Sequence, residues 1–131
     1  MTTKEEINNS EAYLATISKV EKDLEKIDPA IALLDKQPAN SEVLAMVSAH
    51  QKQVVQSMFS INPENAIALT LAASIEAYGK QLEGIQVRTE GGTAVDEEIN
   101  RIGDQVKMLQ ETLKYWLSVI RDEQLSIARN I

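Results

Sequence analysis

This sequence predicts an all-α fold, and three observations carry the prediction. Apolar residues recur at alternating spacings of four and three along most of the chain. Glycine and proline are scarce, five and three among 131 residues, so few points interrupt a helix. Aromatic residues are rarer still for a chain this apolar (4% against 44%), and Ala, Leu, Ile, Glu, Gln and Lys dominate, which favours helix over strand. The expected architecture is an antiparallel four-helix bundle with long helices, with three long kinked helices as the variant. It is expected to form one domain over residues 1–131, with helices over 3–36, 41–60, 63–87 and 94–130.

The first helix is read from Tyr13, Ile17, Val20, Leu24 and Ile27, which fall on one stripe. The stripe runs on through Ile31 and Leu34 although Pro29 intervenes. Either Asp28 caps a new short helix with Pro29 at its first position, or one long helix bends there. The unbroken stripe favours the bend. Gln37-Pro38-Ala39-Asn40 reads as a loop, with Asn40 or Ser41 capping the next helix.

Val43, Val47, Val54, Met58 and Ile61 give the second helix its face, widened by Leu44, Val55 and Phe59. Asn62-Pro63-Glu64 then supplies a cap, a helix-starting proline and a first-turn acid. Ile67, Leu71, Ile75, Tyr78, Leu82 and Ile85 form the third stripe, weakened locally by Gly79 and Gly84. Gly91-Gly92 is the clearest turn, and Thr93 with Asp96 makes a helix-start signal. The last helix is expected to be coiled-coil-like. Val95, Ile99, Ile102, Val106, Leu109, Leu113, Trp116 and Ile120 hold strict four-three spacing, and Ile127 rejoins it. Asp96, Glu97 and Glu98 suit its positive end and Arg129 its negative end.

Residue chemistry narrows the function mostly by exclusion. The net charge of −7 and the absence of any basic run argue against nucleic acid as a partner. Without cysteine there is no disulfide, thiolate or Cys-based zinc chemistry, and a cytoplasmic location is expected. The polar start is no signal peptide, and the longest uncharged stretch, Asn65 to Ile75, is too short to span a bilayer. No membrane role is expected.

His50 is the only histidine, and it lies between Val47 and Val54 on an apolar stripe. It reads as a packed residue at the core edge rather than a ligand. Position 47 is Val, so the Glu-x-x-His motif of di-iron bundles is absent. The densest carboxylates, Asp96-Glu97-Glu98 and Asp122-Glu123, lie beside Arg101 and Arg121. Glu123 alone occupies a seam position, where it could face a pocket as His50 could. The Gly91-Gly92 loop lacks both the strand and the Lys of a phosphate loop. No catalytic residue, metal ligand or cofactor site is identified, and the chain is not expected to be an enzyme.

Two features exceed what a simple bundle needs. Between Gln37 and Gly79 only Glu42, Lys52, Glu64 and Glu76 carry charge. Leu113, Tyr115, Trp116, Leu117, Val119 and Ile120 point almost all round the last helix. Leu113, Tyr115, Trp116, Leu117 and Val119 are therefore the expected interface residues. A homodimer is the expected assembly, with another protein as a further partner. The functional expectation is a non-enzymatic helical interaction module: an adaptor, a chaperone-like protein or an assembly subunit. An acidic inhibitor mimicking nucleic acid and a small-ligand-binding bundle are the alternatives.

Overall fold

Five helical segments carry the chain through four antiparallel passes in the computed structural model, which describes residues 3–36, 40–61, 66–93 and 95–129. They are α1 (Lys4–Glu25), α2 (Asp28–Lys36), α3 (Ser41–Ile61), α4 (Ala66–Glu90) and α5 (Asp96–Arg129). There is no strand among the described residues, and the all-α bundle expected from the periodicity is the fold.

The first pass is broken rather than bent. At the end of α1 the Ile27 N–H reaches back only to the Leu24 carbonyl (3.3 Å), a tightened turn. Pro29 has no N–H for the Glu25 carbonyl, so the α-helical ladder cannot continue through it. A new helix starts at Asp28, with Ile31 donating to Ile27 at 3.0 Å. The stripe survives the break: Ile17, Val20, Leu24, Ile27 and Leu34 are all buried. Periodicity alone could not distinguish the two geometries, because a break that keeps the phase leaves the pattern intact.

Local chemistry sets the other ends. Thr3 Oγ1 accepts from the Glu6 N–H (3.1 Å) to start α1, and Asn40 Oδ1 accepts from Val43 (3.1 Å) to start α3. The α4–α5 joint corrects the expected role of Thr93. Its N–H donates to Arg88 O (2.9 Å) while Gly92 donates to Thr89 O (3.0 Å), with Gly92 at φ 83°. That pair of bonds closes α4 as a Schellman cap, and the left-handed position is one only glycine adopts cheaply. Thr93 thus ends one helix instead of starting the next, and α5 begins at Asp96. The expected loop at 37–39 and the helix start at Pro63 lie outside the described residues.

Packing is most extensive between α1 and α5 and between α3 and α4. Pairings across the bundle give the directions. Glu21 meets Arg121 and Asp28 meets Lys114, so the first pass runs against α5. Gly103 lies beside Leu44, and Gln51 bonds to Val106, so α3 runs with α5. The buried apolar side chains of all the segments form one continuous core.

The core face of α5 departs from strict four-three spacing at one point. Leu117, with no exposure, takes the place expected of Trp116, which is half-buried. A helix of 3.6 residues per turn drifts about 20° per heptad, so the three heptads from Val95 to Trp116 rotate the latter off the seam.

Candidate interaction surface

A charged seam joins the first pass to α5. Arg121 binds Glu21 at 2.9 Å, Lys114 binds Asp28 at 3.0 Å, and Lys107 binds Asp35. Acids and bases are each one heptad apart and climb in opposite directions, as an antiparallel pair requires. The Asp28 hydrogen bond raises Lys114 above the ordinary lysine value of 10.5, overcoming partial burial with help from the charges of Asp28 and Glu111.

Beneath that ladder lies a buried polar network. Gln51 and Gln110 are almost fully enclosed, at 0% and 2% exposure. Gln51 Nε2 donates to Val106 O (3.1 Å) and to Gln110 Oε1 (3.2 Å). Gln110 Nε2 donates to Leu24 O (2.9 Å) and Asp28 Oδ1 (3.0 Å). The break after α1 makes this possible, because an unbroken helix would occupy the Leu24 carbonyl with an N–H from position 28. One side-chain amide therefore ties three helices in a single register. Neither glutamine stood out in the sequence, where a core Gln looks like any surface Gln.

The residues expected to form the interface do not lie together on the surface. Leu113 and Leu117 have no exposure and belong to the chain's own core. Trp116 and Val119 are half-buried. Tyr115 alone is well exposed, at 59%, its ring edge-on to Trp116 with centroids 5.1 Å apart. The expectation that Leu117 needs cover from another subunit is corrected, since α5 meets other helices of the same chain around more than one side. Met108, one heptad before Tyr115, is also exposed, but Arg101, Asp104, Glu111 and Asp122 share that outer side of α5.

The α3–α4 hairpin has a different exterior. Its outward residues on α4 include Leu69, Ala73, Ala77 and Val87, with Glu76, Lys80, Glu83, Arg88 and Glu90 as the exposed charged residues of the helix. Leu69 and Val87 are among the most exposed large apolar side chains described. Beside them a groove of about 470 Å³ runs between α3 and α4, lined by Ala45, Ala49, Lys52, Glu76, Gly79 and Lys80 among others. A Cβ added at Gly79 would meet no atom within 4 Å, so the groove is open there. The charge-poor stretch noted in the sequence includes α3 and the first half of α4.

His50 is half-buried, with its Nδ1 enclosed and lacking a hydrogen-bond partner among the described residues. Glu123 is exposed on α5. No group of three or more His, Cys, Asp or Glu side chains gathers among the described residues. No described helix is long and apolar enough to cross a membrane. Comparison with protein-family models, curated proteins and solved structures gives no match to this chain.

Proposed function

We propose that this chain is a non-enzymatic helical interaction module that self-associates, acting in the cytoplasm as an adaptor, chaperone-like protein or assembly subunit. The observation that carries the reading is the exterior of the α3–α4 hairpin. A helix facing water normally keeps its outer side charged. Instead α4 turns Leu69, Ala73, Ala77 and Val87 outward beside an open groove. Large apolar side chains left in water at both ends of one helix face mark a surface that gains by being covered. The α5 exterior also exposes Met108 and Tyr115, but sets them among Arg101, Asp104, Glu111 and Asp122.

Light scattering across a dilution series tests the proposal. The expected result is a mass near twice the 14.5 kDa of one chain, falling towards one chain only on strong dilution. A mass of one chain at every concentration would contradict self-association.

A further inference from the structure

We infer that the occupant of the α4 face is a second copy of this chain, packed antiparallel about a two-fold axis that crosses the outward stripe between Glu76 and Lys80. The inference rests on the self-association proposed above and assigns it a surface, an orientation and a register. It starts from the outward stripe of α4: Leu69, Ala73, Glu76, Lys80, Glu83 and Val87. All six are exposed, and their spacings alternate four, three, four, three, four. That is the spacing of a seam that can lie along another helix.

Read from either end, the stripe has nearly the same character. Turned antiparallel on a copy of itself, it sets Leu69 against Val87 of the second copy, and Val87 against its Leu69. Inside these, Ala73 falls beside Glu83, a small residue giving room to a longer one. At the centre Glu76 meets Lys80 of the second copy, and Lys80 meets its Glu76. Two apolar contacts thus flank two attractive charge contacts, and the two-fold axis relates the two members of each pair.

The alternatives are worse for stated reasons. A parallel pairing places Glu76 on Glu76 and Lys80 on Lys80, which charge repulsion disfavours. Sliding the antiparallel pair by one heptad sets Leu69 against Lys80 or Val87 against Glu76, exchanging apolar contacts for desolvated charge. In the single chain Glu76 and Lys80 are 3.8 Å apart and both more than 70% exposed, so little holds either back from a partner. The stripe on α5 fails the same comparison, because its central Glu111 would fall close to its own copy.

Charge reversal with mixing tests the register. Glu76→Lys alone gives a chain with two lysines at the centre, and Lys80→Glu alone gives one with two glutamates. Each variant by itself should dimerise at least about tenfold more weakly than the starting chain. Mixed in equal amounts, they should form a heterodimer, because every central contact is again between opposite charges. Recovery on mixing also shows that both variants are folded. If the starting chain is monomeric, the proposed function and this inference fail together. If it dimerises but both variants dimerise as well as it does, self-association stands and the α4 register is overturned. If both variants are monomeric and stay so when mixed, the antiparallel pairing of Glu76 with Lys80 is overturned.

Discussion

α4 and α5 are neighbours in the same bundle, yet they solve the problem of a helix exterior in opposite ways. α5 has a full apolar seam inward and charge outward, with bases spaced to meet the acids of α1 and α2. α4 buries Ala68, Leu71, Ile75, Leu82 and Ile85 but leaves Leu69 and Val87 in water on the other side. No ion pair links α3 to α4 among the described residues, whereas three link the first pass to α5. The difference teaches where to look for function. α5 is tied by ion pairs to the first pass, and α4 is the helix whose surface a partner would complete on the proposed reading.

The largest effect expected concerns the two sides of α5. Leu117→Ala should cost about 2–5 kcal/mol of stability, because it empties a fully enclosed site. Tyr115→Ala, two residues earlier on the outer side, should change stability by about 0.5 kcal/mol or less. Urea denaturation of the two variants makes the comparison. Equal losses would mean that Tyr115 is packed as Leu117 is, and the contrast between the faces of α5 would break.

A middle-sized effect is expected at the polar network. Gln110→Ala leaves the enclosed Gln51 amide and the Asp28 carboxylate each short of a partner, and should cost about 1–3 kcal/mol. Replacing both glutamines with Leu should cost less than Gln110→Ala alone, because no enclosed amide is then stranded. Denaturation midpoints of the three proteins decide it. A double replacement that is the least stable would show that the network contributes net stability as well as register.

The smallest effect sharpens the charged seam. Lys114 has a higher pKa in the folded chain than its ordinary 10.5. The folded state therefore holds this proton more tightly than the unfolded state does. Its contribution is fully present below pH 10.5 and is lost as the pH rises through the raised folded value. Lys114→Met should remove that alkaline dependence. Thermal melts of both proteins between pH 9 and pH 12 should converge at the alkaline end (roughly the range that brackets an ordinary lysine).

Much of this fold could be read from periodicity, and the exceptions have physical causes. The stripes of α1, α3 and α4 are buried broadly as their spacing implies, with Tyr13, Val43, Ile67 and Tyr78 at the edges. The stripe favours a bend over the break at Lys26–Ile27 only because a break that preserves its phase leaves it unchanged. Trp116 was placed on the seam by counting in heptads, an error that grows along a helix that does not supercoil enough to cancel it. The site was less legible. Low charge between Gln37 and Gly79 marks the hairpin on which the proposed surface lies, but a residue count does not say which side of a helix faces water. The crowding from Leu113 to Ile120 is met largely inside the chain, with Leu113 and Leu117 fully enclosed, since apolar residues all round a segment also describe one that other helices of its own chain cover.

The central claim is that the chain associates through α4 and leaves the outer side of α5 free. Hydroxyl-radical footprinting, read by mass spectrometry at concentrations above and below the association midpoint, tests it residue by residue. The prediction is that Leu69 and Val87 lose reactivity on association while Met108 and Tyr115 keep theirs. Protection of Met108 and Tyr115 with Leu69 and Val87 unchanged would contradict it and make α5 the shared surface.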